Sequence, residues 1–207
     1  MKILRFLSFA ALAFLLTQCY PEGPVYTEDL DVVYTNYDPE YNFGEKLTFA
    51  MPDKIMKIDD DLMNGTGINY VKDIYASVML DRIQQNLIAN GWTQRKIDEN
   101  PDVLIAPAAF ELTTYYSNDY WGYWDWWYDG YYPDGGWYYP YPVVSSYSTG
   151  SLIVMMVDPN DLTASDRPRV AWTFAVNGLL QGSTDQFNAR TAKGINQAFT
   201  QSEYLKK

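Results

Sequence analysis

The length, composition and charge of the chain limit both its fold and its chemistry. It has 207 residues, and 47 % of them are hydrophobic, which suits one domain with appendages. With no His and one Cys, the chain lacks the residues for His-based acid–base relays, intramolecular disulfides and most zinc sites. Its net charge of −11 and its lack of a Lys/Arg cluster argue against nucleic acid as a partner. We expect no cofactor and no metal site.

Residues 1–18 have the pattern of an export signal. Lys2 and Arg5 form a positively charged start, and residues 6–16 (FLSFAALAFLL) form an apolar segment. This segment is too short to cross a bilayer as a stable helix. We therefore expect residues 1–18 to be removed from the mature protein.

The end of this signal resembles a bacterial lipobox. Residues 16–19 (LTQC) place a hydrophobic residue three positions before Cys19, although Gln18 stands where a small residue is usual. An ordinary secretory signal with an incidental Cys is the alternative. The position favours Cys19 as the lipidated first residue of the mature chain, held to the membrane by its acyl chains. Tyr20 follows in place of the Asp that retains lipoproteins at the inner membrane, so residues 19–30 are predicted to tether the domain to the outer membrane.

The first part of the domain is predicted to begin with two strands. Residues 31–37 are β-branched and aromatic, and residues 46–50 alternate before a Pro. The acidic segment 58–67 (IDDDLMNGTG) has a faint likeness to a calcium loop, but its carboxylates do not keep the ligand order of such loops. We interpret it as a solvated loop.

A long amphipathic helix is predicted over residues 69–90. Asn69 is suited to cap its start, and Gly91 is suited to the left-handed position that ends it. Apolar side chains recur every four residues, which predicts a packing helix without chemistry. These side chains are Val71, Tyr75, Met79, Ile83 and Leu87.

Three strands and a second helix are predicted after it. A long strand at 102–116 contains Pro107, which indicates a bulge or an edge position. An apolar run at 149–158 is typical of a strand buried on both faces, and it is predicted to form a hairpin with residues 169–177. The sequence STDQ at 183–186 has the form of a capping box that opens the second helix.

These elements predict an α+β domain at residues 31–205 in the order β-β-α-β-β-β-α. The simplest arrangement is an antiparallel or mixed sheet of about five strands with both helices packed on one face. A long aromatic-rich insertion, residues 115–147, separates strands 3 and 4.

The aromatic insertion is the candidate binding segment. It could line a glycan-binding surface, contact a membrane or a protein, or pack on itself over the sheet. Asp119 and Asp125 form a weaker candidate pair for glycoside hydrolysis, since loop spacing fixes no distance between them. The residues predicted to contact a ligand or partner are Trp121, Trp124, Trp126, Trp127, Trp137 and Tyr139.

Several stretches together resemble the bacterial lipoprotein family called domain of unknown function 4136. They are VVYTNYDPEYNFGEKLTFAMPDKI (32–55), NPDVLIAPAAF (100–110), TGSLIVMMVDP (149–159), VAWTFAVNGLL (170–180) and INQAFTQSEYL (195–205). The resemblance implies an outer-membrane lipoprotein of a Gram-negative bacterium, with an α+β fold, no established activity and no active-site residues. We therefore predict a non-catalytic envelope protein that contacts the membrane through its lipid, and a protein or polysaccharide partner.

Overall fold

The computed structural model describes residues 32–110, 114–115, 146–147, 150–164, 167–177, 179 and 184–207. Within these ranges no helix is both long enough and apolar enough to cross a bilayer. The elements are β1 (Val33–Tyr37), β2 (Thr48–Ala50), β3 (Met56–Ile58), α1 (Asp60–Met63), α2 (Asp73–Ala89), β4 (Thr93–Gln94), β5 (Val103–Phe110), β6 (Thr114–Tyr115), β7 (Ser146–Tyr147), β8 (Ser151–Leu162), β9 (Pro168–Val176) and α3 (Thr184–Thr200).

The main sheet has seven strands in the order β1-β9-β8-β5-β2-β4, with β3 pairing to β5 beside β2. Along β1, β9, β8 and β5 each strand is antiparallel to its neighbour, whereas β2, β3 and β4 join through parallel pairs. The α+β class and the mixed sheet are confirmed. The predicted five strands, two helices and strand order are wrong in detail, because β3, β4 and α1 are each too short to show hydrophobic periodicity.

Pro107 lies inside the central strand β5. It faces the gap between β2 and β3, the two strands that pair with β5 in parallel. β2 ends its pairing at Leu104, and β3 resumes pairing at Ala108. Pro107 also keeps its antiparallel pairing with Val154 of β8. The residue that has no N–H therefore lies where the parallel ladder is broken, which is the kind of position that a Pro tolerates.

The acidic segment and the start of the long helix differ from the prediction. Asp59 caps α1 by accepting a hydrogen bond from the Leu62 N–H, so the segment is not simply a solvated loop. The Asn69 amide donates to the carboxylates of Asp59 and Asp61 instead of capping α2, which begins at Asp73. Lys72 occupies the N-cap position of α2, so Asn69 lies too far before the helix to cap it.

The long helix ends as predicted. Gly91 adopts a φ of 92°, and the N–H of Trp92 returns to the carbonyl of Leu87. A Cβ at Gly91 would lie 2.7 Å from the Cβ of Lys207, so the position also allows a close approach.

Helices α2 and α3 pack on the same face of the sheet, as predicted. Met79, Ile83 and Leu87 of α2 belong to one buried cluster with Phe187, Ile195 and Phe199 of α3. The same cluster contains Trp172, Phe174 and Val176, which alternate along β9 as the sequence predicts. The first residue of the predicted capping box, position 183, lies outside the described residues.

Strand β8 is buried on both faces, as its continuous apolar run predicts. Leu152 and Val154 belong to the helix-side cluster, whereas Ile153 and Met155 of the other face are also 0 % exposed. The β8–β9 hairpin is confirmed, with register shifts after Met156 and after Asp158. β8 continues to Leu162, beyond the predicted end of the strand at 158.

Candidate functional site

The predicted site residues lie outside the part of the chain that the structure describes. This applies to the lipidation residue Cys19 and to the aromatic candidates Trp121, Trp124, Trp126, Trp127, Trp137 and Tyr139. The structure does describe the two ends of the aromatic insertion. The β6–β7 ladder pairs Thr114 with Tyr147 and Tyr115 with Ser146, so both ends meet beside the end of β5 and the start of β8.

A polar cleft of about 490 Å³ lies where the β8–β9 hairpin meets the segment that follows β1. We call it the Asp158 cleft. Its lining carries four carboxylates and two cations, a formal charge of −2. The lining residues are Glu40, Tyr41, Asn42, Glu45, Lys46, Asp158, Asn160, Asp161 and Arg169.

The segment after β1 is turned into the cleft by local hydrogen bonds. The N–H of Asp38 donates to the carbonyl of Ala171 and so extends the pairing of β1 with β9. The Asp38 carboxylate then accepts the N–H of Glu40 at 2.9 Å, across the Pro that ends the strand. A 3-10 turn at Phe43–Glu45 follows and brings Lys46 to the cleft.

Asp158 is the centre of the cluster and is completely buried, with 0 % exposure. Its Oδ2 accepts the Tyr41 hydroxyl at 2.8 Å and pairs with Lys46 Nζ at 2.7 Å. Its Oδ1 accepts the N–H groups of Asn160 and Asp161 at 2.9 and 3.2 Å. Both oxygens are therefore occupied by donors of the same chain, which is what a buried carboxylate requires.

Arg169 forms a second layer of ion pairs beside Asp158. Its Nη1 lies 2.7 Å from Asp38 Oδ2, and its Nε lies 3.0 Å from Asp161 Oδ2. The Asp38 side chain is 2 % exposed, whereas the side chain of Arg169 keeps 26 % exposure. The guanidinium therefore joins the end of β1 to the hairpin and still reaches the surface.

The pKa shifts follow from these contacts. Partial burial alone would lower the pKa of Lys46, but the hydrogen bond and charge of Asp158 outweigh it and raise the pKa above 10.5. Burial, with the Asp158 charge added, raises the pKa of the Tyr41 phenol far above its ordinary value. Near neutral pH Lys46 is therefore charged and Tyr41 is protonated, so both act as donors.

A row of aromatic rings connects β1 to the cleft. Tyr37 stacks on Tyr204 with 3.9 Å between ring centroids, and Tyr204 lies 5.2 Å from Phe43. Phe43 in turn meets Tyr41 edge to face at 4.8 Å. These contacts fix the position of the Tyr41 hydroxyl, because aromatic pairs have preferred geometries.

This arrangement suits a structural connection better than proton transfer. Asp158 and Asp38 accept hydrogen bonds on both of their oxygens, and each joins a neighbouring backbone N–H to a side chain from a distant segment. At the rim Lys46, Arg169 and Asp161 reach solvent with side-chain exposures of 27 %, 26 % and 37 %. The exposed residues Glu40 and Glu45 line the same cleft. The rim therefore offers charges of both signs to a partner.

The sequence-based prediction did not identify this cleft. The available signal is Asp158, which ends the apolar run of β8 and must find partners if the strand is buried. The partners themselves carry no sequence signal, because 117 positions separate Tyr41 from Asp158 and 131 separate Asp38 from Arg169.

Comparisons with known proteins give a matching family and a similar solved structure. The family model described as Domain of unknown function (DUF4136) matches residues 33–202. The crystal structure of a DUF4136 family protein from Bacteroides thetaiotaomicron has a TM-score of 0.67 and 32 % identity, over 85 % of this chain and 97 % of that chain.

Two further solved structures are more distant. A PDZ domain protein from Parabacteroides distasonis has a TM-score of 0.42 and 17 % identity, over 86 % of this chain and 37 % of that chain. The PelC dodecamer from Paraburkholderia phytofirmans has a TM-score of 0.36 and 12 % identity, over 85 % and 97 %. Neither likeness is close enough to inform function. No curated protein matches the chain.

Proposed function

The chain belongs to the DUF4136 family, and on this premise we propose that it is a lipid-anchored, non-catalytic interaction protein of the outer membrane. In this proposal Cys19 carries the lipid, residues 19–30 form the tether, and the domain that begins at β1 contacts another component of the cell envelope. The partner is an envelope protein or a polysaccharide.

The anchoring part rests on the sequence around Cys19. A short apolar segment ends in LTQC at 16–19, and this Cys is the one Cys of the chain. Several acyl chains hold a protein at a membrane where a single chain binds only weakly. The family resemblance implies the same location.

The non-catalytic part is supported chiefly by the bonding of Asp158. This carboxylate is 0 % exposed, and its two oxygens accept four donors of its own chain. A general acid or base must exchange its proton with a substrate in reach. Here the carboxylate is used instead to hold the segment after β1 on the hairpin.

Metabolic labelling tests the anchor. Cells that express the chain are grown with an alkyne-bearing fatty acid, and the membrane fraction is examined by mass spectrometry of the N-terminal peptide. We expect acyl groups on Cys19 and none on the Cys19→Ser control, which should leave the membrane fraction. An unacylated Cys19 in the wild-type chain would refute the proposed anchor.

Site-specific photocross-linking tests the contact role of the aromatic insertion. A cross-linking amino acid at Trp124 or Trp137 is compared with one at Asp81, an exposed position on α2. We expect envelope proteins to be captured from the insertion and not from α2. The same capture is then measured from a third position in a chain that lacks residues 117–142. If envelope proteins are still captured there to the same extent, the insertion does not form the contact.

A glycan-binding role is the alternative, favoured by the density of Trp between the paired strands β6 and β7. Trp fluorescence titration with envelope polysaccharides should give a saturable change that is lost in Trp124→Ala or Trp137→Ala. Trp92 and Trp172 are 2 % and 0 % exposed, so they supply a constant background. A flat response across the polysaccharides would exclude this alternative.

A further inference from the structure

Strand β1 forms one border of the main sheet. It pairs with β9 along Val33–Tyr37, and the sheet order ends with it. The strand is directly preceded in sequence by the proposed tether, so a lipid anchor would hold this border near the membrane. No strand in the described part of the chain pairs with the other side of β1, so a further strand can be added there.

The hydrogen bonds to β9 identify which backbone groups point outward. Asn177 N–H donates to Val32 O, and Asp38 N–H donates to Ala171 O. In an antiparallel ladder these bonds flank non-hydrogen-bonded pairs, so the N–H and C=O groups of Val33, Thr35 and Tyr37 point away from β9.

This border lacks the usual protection against strand addition. Natural edge strands carry Lys or Pro, or are bent by bulges, whereas β1 reads VYTNY and pairs without a register shift. The Asn36 side chain covers part of this border, because it accepts the outward N–H of Tyr37 at 2.9 Å. Val32 and Tyr37, at its two ends, are 58 % and 38 % exposed.

The sequence of β1 is complementary to itself when it is reversed about Thr35. Antiparallel pairing with a second β1 places Thr35 opposite Thr35 and Val33 opposite Tyr37. Each of these is a hydrogen-bonded pair, because all three residues present outward groups. The Val33–Tyr37 pairs exchange both N–H···O bonds once the Asn36 side chain releases the N–H of Tyr37. Thr–Thr and aliphatic–aromatic pairs are favourable across strands.

We infer that β1 is a homodimerisation edge, at which a second copy of this chain adds its own β1 antiparallel about Thr35. Charge favours a second copy at this place. The chain carries a net charge of −11, but the strand from Val32 to Tyr37 is uncharged, so no like charges meet in the register. The contact is isologous, which closes the assembly at a dimer.

The inference rests on the proposed lipid anchor for its strength. A ladder of this length buries far less than the roughly 1,200–2,000 Å² of a stable interface. Confinement of both copies to one membrane raises their effective concentration, so a weak pairing becomes populated. The dimer is therefore expected in membranes and in concentrated solutions.

Disulfide cross-linking in membranes tests the register. The full lipidated chain carries Thr35→Cys, and the parent chain gives the background from Cys19. Hydrogen-bonded partners have Cα atoms about 5.5 Å apart, within the range of a disulfide. Val33→Cys alone is the control, because two copies of that residue would lie roughly 13 Å apart along the strands.

The expected result is a disulfide dimer of Thr35→Cys and none above background for Val33→Cys alone. Co-expressed Val33→Cys and Tyr37→Cys chains with different tags should cross-link to each other. Adding Thr35→Pro should abolish that mixed dimer and leave the fold intact, since a Pro at 35 removes an outward N–H and one exposed side-chain hydrogen bond to Gln201, but no bond to β9.

Two results would overturn the inference. One is background-level cross-linking of Thr35→Cys in membranes where Cys19 is acylated. The other is cross-linking of Thr35→Cys to a different protein. If Cys19 proves unacylated, the anchor proposal fails on its own. The same variants are then oxidised as purified protein at about millimolar concentration. A disulfide dimer of Thr35→Cys under these conditions supports the homodimerisation edge, and its absence refutes it.

Discussion

Replacing Asp158 by Asn tests the claim that this residue holds the segment after β1 on the β8–β9 hairpin. The amide keeps one oxygen to accept the N–H groups of Asn160 and Asp161. Its NH₂ group would replace Oδ2, which now lies 2.7 Å from Lys46 Nζ and 2.8 Å from the Tyr41 hydroxyl. A donor would then face an ammonium, and the ion pair would be lost.

The expected cost is a substantial part of the stability of such a domain. Removing one partner of a buried pair typically costs about 3–5 kcal/mol. The side chain of Lys46 keeps 27 % exposure and can turn toward water, which reduces this cost. Since Tyr41 also loses its acceptor, we expect Asp158→Asn to lower the free energy of unfolding by about 2–4 kcal/mol.

Urea denaturation of the variants measures this loss. Asp158→Asn, Lys46→Met and the double variant form a cycle that isolates the interaction of the pair. We expect a coupling of about 1–2 kcal/mol near neutral pH. The contribution of Lys46 should be present below pH 10.5 and fall as the pH rises through its raised folded-state pKa. A cost below about 1 kcal/mol for Asp158→Asn, with no coupling, would refute the structural role.

Three further predictions concern single residues. A Cβ at Gly91 would lie 2.7 Å from Lys207 whereas one at Gly65 meets nothing within 4 Å, although both have positive φ. Gly91→Ala should therefore cost about 1–3 kcal/mol more than Gly65→Ala in thermal denaturation, and equal costs would contradict this. Burial opposes ionisation of Asp102, but three hydrogen bonds from the chain outweigh it and lower the pKa below 3.8. The stability that these bonds add is present above pH 3.8 and is lost as the pH falls through the folded-state pKa. In Asp102→Asn, the free energy of unfolding measured by urea denaturation should therefore fall less steeply with decreasing pH than in the wild-type chain. Burial lowers the pKa of Lys207 from 10.5 to about 8, so the cost of burying its charge is present below pH 8 and is relieved as the pH rises toward 10.5. Amine acylation followed against pH should give Lys207 a midpoint near 8, with the exposed Lys206 as reference, and a midpoint near 10.5 would refute the burial argument.

The long elements of this fold could be predicted from local sequence, and the short ones could not. The faces of α2 and β9 follow from hydrophobic periodicity, because each buries one side over several turns or pleats. β4 has two residues and α1 has four, so neither completes enough repeats to give a signal. The predicted cap at Asn69 is wrong, because α2 begins only at Asp73 and its N-cap residue, Lys72, makes no side-chain capping bond that the sequence could signal.

Local sequence patterns are sufficient to predict several elements that the structure confirms. These are the amphipathic helices, the hairpin of β8 and β9, and the left-handed end of α2 at Gly91. Hydrophobic periodicity and turn-forming residues act over a few neighbouring positions, so these elements can be recognised in a single sequence.

The tertiary structure alone decided the strand order, the interrupted parallel edge of β5, and the Asp158 cleft. Each depends on which distant segments come together. Asp158 needs donors because it is buried, but many polar residues could supply them, and only the packing of the whole sheet places Tyr41 and Lys46 within reach.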